Sequence, residues 1–279
     1  MGEWGSERWG GAADLLGRFA AVGYNGGGGF GKMGKIITIA HRGHSTAAPE
    51  NTLAAFALAL DHKPDYIECD VRRTKDGRII VIHDATVDRT TNGSGKVADL
   101  TLAGLRELDA GSKFGSQFAG ERLPTLEETL DVMKGKTKPL IELKEEGMEE
   151  DVVAAIRERG MVGEVAICSF HYSVGLRLPE IEPDIPFSPI KSVHHPVTEE
   201  EAVRLADEAA SVNGWVFAFN YPDITPALIR ATHAANMLME AWTIDNDADM
   251  RKWIEMGLDA VTSNDIALLN RVLADMDLR

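Results

Sequence analysis

The residues Tyr66-Ile67-Glu68-Cys69-Asp70-Val71-Arg72-Arg73-Thr74-Lys75-Asp76-Gly77-Arg78-Ile79-Ile80-Val81-Ile82-His83 hold two apolar, strand-like runs with only residues 72–78 between them. Asp76-Gly77 is a hairpin turn signal. A parallel crossover needs a dozen residues or more, so Tyr66–Val71 and Ile79–His83 must run antiparallel. The second run is then a hairpin arm. Around it lie eight further strand candidates in series: Ile36–Ala40, Tyr66–Val71 itself, Pro139–Leu143, Val165–Phe170, Pro186–Ile190, Trp215–Phe219, Leu238–Ile244 and Ala260–Thr262. Helical apolar periodicity separates them at Leu53–Leu60, Leu126–Met133, Asp151–Arg159, Glu199–Ala210, Pro226–Ala235 and Asp247–Met256, with a weaker pattern near Ser173–Leu178 and a closing one at Ile266–Met276. Thr125-x-x-Glu128 is a capping box. Eight such units predict an α/β fold, a (β/α)8 TIM barrel, with a doubly wound open sheet as the alternative. An insertion of about residues 72–124 follows the second barrel strand: the hairpin, then a Gly-, Thr- and Asp-rich loop with one short helix near Leu102–Leu108. A loop of that length is usually functional.

The barrel would occupy residues 35–279. Residues 1–34 carry twelve of the 27 glycines and balanced charges, and read as a disordered leader or upstream extension, with Met33 a plausible natural start. Gly26-x-Gly28-x-x-Gly31 and Gly26-x-x-x-x-Gly31-Lys32 match phosphate-binding loops in letters only. Neither follows a strand or opens a helix, as both mechanisms require.

The chain has 279 residues, with 29 Lys and Arg against 44 Asp and Glu, a net charge of −15. A nucleic-acid partner would be repelled. The longest unbroken apolar run, Leu53–Leu60, is too short for a membrane span. Cys69 and Cys168 are too few for a disulfide framework or a Cys-based zinc site, and each sits in an apolar run. Buried free thiols suit a reducing, cytoplasmic compartment.

In a barrel, chemistry gathers where strands end. The first candidate ends in His41-Arg42-Gly43, the second in Glu68-Cys69-Asp70, the hairpin arm in His83-Asp84 and the next in Glu142-Leu143-Lys144. Residues two apart on a strand share a face, so Glu68 pairs with Asp70 and Glu142 with Lys144. Three carboxylates converging at one mouth repel unless a cation lies between them, and a hard divalent ion, Mg²⁺ or Ca²⁺, suits oxygen ligands. His41 and His83 are placed to move protons near neutral pH. Arg42 and Lys144 supply the cations that a phosphate needs, and Gly43 would let backbone approach a ligand. His62 and His233, on helices, read as structural; His44, His171, His194 and His195, in loops, are candidates for touching substrate. No protein nucleophile stands out: Gly43-x-Ser45-x-Ala47 falls one residue short of a serine elbow, and Pro49 interrupts the helix it would need. The set suits metal-assisted cleavage of a phosphodiester. A non-catalytic phosphate-binding barrel would not need the acids to converge. A phosphosugar isomerase or aldolase would want a Schiff-base lysine or a lone glutamate.

With His41-Arg42-Gly43, Pro49-Glu50-Asn51-Thr52, Glu68-x-Asp70, Thr74-Lys75-Asp76-Gly77, His83-Asp84, Arg89-Thr90-Thr91, Glu142-x-Lys144, Ser169-Phe170 and Trp242-Thr243 in this order, the chain resembles the glycerophosphodiester phosphodiesterase family from about Lys35 onward. The resemblance implies a phosphatidylinositol-phospholipase-C-like barrel. It matches Glu68, Asp70 and Glu142 to the metal ligands, His41 and His83 to the acid/base pair, Arg42 and Lys144 to substrate contacts, and Trp242 to an aromatic pocket wall. The implied partner is a small glycerophosphodiester, or in a lysophospholipase D variant a substrate with one acyl chain. It implies hydrolysis to glycerol 3-phosphate and an alcohol, with the substrate's own hydroxyl attacking phosphorus to give a cyclic phosphate that water opens. Two places depart from the family pattern. Trp242-Thr243 is followed by Ile244-Asp245-Asn246 where Val-Asn is common, so Asp245 should tune head-group preference or cap the next helix. Thr262-Ser263-Asn264-Asp265 stands where Thr-Asp-Arg-Pro is common.

Overall fold

The computed structural model describes residues 35–279. The leader and its glycine matches lie outside the described residues. The strands are β1 (Ile37–Ala40), β2 (Tyr66–Arg73), β3 (Ile79–Val81), β4 (Lys138–Leu143), β5 (Ala166–Ser169), β6 (Phe187–Lys191), β7 (Val216–Asn220), β8 (Leu238–Trp242) and β9 (Ala260–Ser263). All but β3 are parallel and close into a barrel: each pairs with the next in the chain, and β1 pairs with both β9 and β2. β3 is the hairpin arm and pairs antiparallel with the overhanging end of β2, Val71 opposite Val81 and Arg73 opposite Ile79. Gly77, at φ 78°, makes the turn, and Thr74 closes it by accepting from Gly77 N at 3.0 Å and pairing with Arg78.

The helices are α1 (Leu53–Asp61), α2 (Leu102–Arg106), α3 (Leu126–Met133), α4 (Glu149–Glu158), α5 (Tyr172–Ile181), α6 (Glu199–Ser211), α7 (Pro226–Ala234), α8 (Asp247–Glu255) and α9 (Ile266–Asp275). Threonine starts five of them: Thr52, Thr101, Thr125, Thr198 and Thr225 each accept a first-turn N–H. The capping box at Thr125 is present, and Thr198 with Glu201 forms a second. Helix α5 is longer than its weak sequence pattern suggests. Gly175 and Pro179 both lower its propensity, but tertiary contacts override them. A Cβ on Gly175 would stand 2.4 Å from Phe187, so only glycine lets α5 approach β6 that closely. Its carbonyl, four residues before the proline, accepts from Asn213 Nδ2 at 3.1 Å instead.

Three apolar layers hold the molecule. Phe56, Ile141, Phe217 and Leu228 belong to the large layer between sheet and helices. Ile39, Tyr66, Leu140, Ala166, Cys168, Ile190, Ala218 and Ala260 fill the barrel interior, as expected of a packed barrel and not a pore. The third layer is a small core of the insertion, where Ile80, Ile82, Val87, Val97, Leu105, Ala110 and Leu123 meet. β3 alternates between layers: Ile79 and Val81 face the main core, Ile80 the insertion. The insertion is therefore a packed cap. Its short helix ends at Arg106, and Asp76 at the hairpin tip accepts from Leu102 N at 2.9 Å. Both cysteines are buried and free, and no helix among the described residues is long and apolar enough to cross a membrane.

Candidate active site

Past the end of β1 the backbone turns through Arg42 (φ 56°) and Gly43 (φ 85°). A Cβ on Gly43 would lie 2.6 Å from the Ala55 carbonyl carbon. The close approach is thus to α1, not to a ligand as its sequence position suggested. The turn aims Arg42 inward. Its backbone N–H donates to Glu68 Oε2 at 2.9 Å, Nη1 donates to Glu50 Oε1 at 2.8 Å, and Nε stands 3.1 Å from Asp70 Oδ2.

Glu68 and Asp70 share a face of β2, and the sheet register sets Asp70 beside Glu142 of β4. One oxygen from each of the three lies within 4.8 Å of the others, and all three side chains are buried. Lys144 Nζ lies 2.8 Å from Asp70 Oδ1 and 2.5 Å from Glu142 Oε1. Asn51 clamps Asp70 from behind, donating through Nδ2 to Oδ2 at 2.7 Å and accepting from Asp70 N at 3.2 Å. The electrostatics follow from this crowding. Burial, then repulsion from Asp70 and Glu142, raises Glu68 well above the carboxylate range. Burial raises Glu142 to about 7 against the pull of Lys144. Asp70 feels the same burial, but Lys144 and Arg42 together hold it below its ordinary value.

These residues fit a hard divalent cation. Their oxygens are spaced for one ion at about 2.0–2.6 Å from each. Glu68 Oε1 is buried with no hydrogen-bond partner. With all three carboxyls ionised, as ligands to an ion would be, they exceed Arg42 and Lys144 by one negative charge. A divalent ion would reverse that sign and let a phosphodiester anion enter.

Two imidazoles complete the site. His41 Nδ1 is 2.7 Å from Asn264 Oδ1, and His83 Nδ1 is 2.7 Å from Asp84 Oδ1. Burial and then Arg42 push His41 down to about 4, so it is neutral at pH 7; burial also lowers His83. Asp84 is held by Arg89 (Nε to Oδ2, 2.6 Å), and Arg89 in turn grips Glu50 through Nη1 and Nη2 at 2.7 and 2.8 Å. His41, Arg42, Glu68, His83, Glu142, Lys144 and Trp242 line one cavity of about 150 Å³, with Asp70 fully buried behind them. Phe170 and Trp242 meet edge to face on its wall, centroids 5.7 Å apart.

All eight residues singled out in the sequence therefore come together. The remaining histidines do not line the cavity. His44 packs on His62 and lies 3.4 Å from Asp265, His171 starts α5, His195 pairs with Glu201, and His233 with Asp259. Sequence reasoning assigned no part to Asn51, Glu50, Asp84 or Arg89, although each lay inside a quoted motif. It missed Glu240 altogether. That buried carboxyl on β8 lines the cavity, accepts from Thr262 Oγ1 at 2.7 Å, and is raised by burial to about 7.

Comparison with known proteins agrees with this geometry. A glycerophosphodiester phosphodiesterase of Caldanaerobacter subterraneus subsp. tengcongensis is 40% identical over 239 residues, 83% of this chain and 95% of its own. The crystal structure of a glycerophosphodiester phosphodiesterase from Agrobacterium tumefaciens superposes with a TM-score of 0.72 at 31% identity, covering 85% of this chain and 99% of that one. An Oleispira antarctica phosphodiesterase, solved in complex with the product sn-glycerol 3-phosphate, superposes with a TM-score of 0.74 at 28% identity, covering 87% and 97%. Residues 41–268, from His41 into α9, match the Glycerophosphoryl diester phosphodiesterase family, and the chain belongs to that family.

Proposed function

We propose that this protein is a glycerophosphodiester phosphodiesterase that hydrolyses its substrate to sn-glycerol 3-phosphate and an alcohol. In this reading Glu68, Asp70 and Glu142 hold a divalent cation, Mg²⁺ or Ca²⁺, and His41 and His83 move the protons. The observation that carries it is the convergence of three buried carboxylates, within 4.8 Å of one another, on the cavity that both imidazoles line. Supporting it are the relatives named for this activity and the product held by the Oleispira protein.

The cation, when bound, neutralises charge on the phosphoryl oxygens. Arg42 and Lys144 do the same from the protein side and orient the diester. One imidazole takes the proton of the glycerol hydroxyl next to the phosphate as its oxygen bonds to phosphorus. The other gives a proton to the departing alcohol. Water then opens the cyclic phosphate with the two roles exchanged. Holding the hydroxyl beside phosphorus supplies much of the acceleration, and no protein nucleophile is required.

Purified protein should release sn-glycerol 3-phosphate from glycerophosphocholine with Mg²⁺, Ca²⁺ or Mn²⁺ supplied, and chelation should abolish the release. Absence of turnover on choline, ethanolamine, inositol and glycerol diesters would refute the reading. Phe170, nearly half exposed beside Trp242, favours a second substrate class with one acyl chain, so lysophosphatidylcholine belongs in the same panel. The two buried thiols and the charge of −15 support a cytoplasmic enzyme with no nucleic-acid partner.

A further inference from the structure

The two departures from the family pattern touch one another. Asp245 does not cap α8; Asn246 does, accepting from Asp249 N. Nor does Asp245 line the cavity. Its Oδ1 accepts from Asn264 N at 2.8 Å and Ser263 Oγ at 3.0 Å, and its Oδ2 accepts from Asn264 Nδ2 at 2.5 Å. A carboxylate can only accept, so Asn264 must present its NH₂ to Asp245. Its carbonyl oxygen is thereby turned to the other side, where it meets His41 Nδ1 at 2.7 Å and Ser45 Oγ at 2.9 Å. That oxygen also only accepts. The proton of a neutral His41 must then sit on Nδ1, and Nε2 is left with its lone pair.

We infer that Asp245 and Asn264 are positioning residues that fix His41 in the Nδ1–H tautomer, so that Nε2 meets the substrate as a base. The inference rests on the proposed diesterase reading and assigns direction within it. His41 takes the proton of the attacking hydroxyl, and His83, whose partner is the carboxylate of Asp84, delivers one to the leaving alcohol. The difference between the two partners supports this order. The amide of Asn264 favours a charged His41 only through one neutral hydrogen bond, whereas Asp84 sets a carboxylate charge against a protonated His83. Burial and Arg42 also keep His41 neutral.

The substitution Asp245→Asn tests the relay with almost no change in shape. The backbone N–H of Asn264 fixes the new carbonyl oxygen at the Oδ1 position, so the new NH₂ faces Asn264 Nδ2. Two donors cannot share that contact. Asn264 should flip, present Nδ2 to His41, and move the imidazole proton to Nε2. In ¹⁵N-histidine NMR of the full chain with Mg²⁺, wild-type His41 should show a protonated Nδ1 and a bare Nε2, and Asp245→Asn should exchange them. kcat on glycerophosphocholine should fall about 10²-fold, the scale of a lost general base, with KM little changed. Asn264→Ala, with its circular dichroism checked, should lose the fixed tautomer and kcat alike. The inference is overturned if His41 keeps a protonated Nδ1 in both variants, or if Asp245→Asn exchanges the proton without loss of kcat. Turnover retained by His41→Ala would strike the diesterase reading itself.

Discussion

Glu50 Oε1 accepts from Arg42 Nη1 at 2.8 Å, so a carboxylate that does not line the cavity aims the guanidinium that does. Arg89 holds the other side of Glu50 and reaches Asp84 beyond it. The chain Arg42–Glu50–Arg89–Asp84–His83 thus ties the β1 turn to the insertion. Glu50→Ala should cost kcat/KM about 10- to 10²-fold, the scale of about 1.5–3 kcal/mol for a hydrogen bond to a charged group. Ion affinity should be kept, because Glu50 is not in the acidic triad. Steady-state kinetics and calorimetry check both, and an unchanged kcat/KM would show that Arg42 needs no such support.

Glu68→Gln should act with opposite signs on binding and on stability. The carboxylate is buried, and Asp70 and Glu142 repel it, so without an ion its charge is a burden. The variant should bind Mg²⁺ or Ca²⁺ more weakly by calorimetry. With chelator present, its Tm should exceed that of the wild type. A lower Tm in chelator, or unchanged affinity, would mean that Glu68 is not a ligand strained by its neighbours.

Glu240 gives a pH dependence with a defined sign. Burial raises its carboxyl from the ordinary 4.5 to about 7. Between those values the folded protein keeps a proton that the unfolded chain releases, so the stability contribution present below 4.5 is lost as pH rises through 7. The full effect is at most about 3 kcal/mol. Glu240→Gln cannot ionise. Its Tm should match the wild type near pH 5 and exceed it at pH 8, and equal differences at both pH values would rule the effect out.

Leu105 anchors α2 in the small core of the insertion and is fully buried. Leu105→Ala should destabilise this cap by about 2–5 kcal/mol, as expected for a cavity left by leucine. Limited proteolysis should then cut first within residues 84–124, while urea unfolding of the barrel changes less. Cleavage elsewhere would show that the cap and the barrel open together.

Most of the architecture was legible because the barrel repeats one local signal. The hairpin at Asp76-Gly77 removed a strand from the count, and the two-residue spacing of Glu68 and Asp70 fixed their common face. What stayed hidden depends on groups distant in the chain. Nothing local marks Gly175 as the contact point of α5 with Phe187, so the weak helix pattern there understated the helix. Asp245 and Asn264 looked like separate irregularities because nineteen positions part them, and only the adjacency of β8 and β9 brings them together. Glu240 reads as one polar residue in an apolar strand until the inward direction of its side chain is known.

The side chains packed inside the barrel, Ile39, Tyr66, Leu140 and Ala260 among them, fill it beneath the cavity that His41 and His83 line. On the proposed diesterase reading, substrate and products would share the mouth that His41, His83 and Trp242 line. On that reading, both fragments of a cleaved diester would back out before the next molecule enters, so accumulated sn-glycerol 3-phosphate should compete with fresh substrate. Turnover would then be throttled by departure as much as by bond breaking.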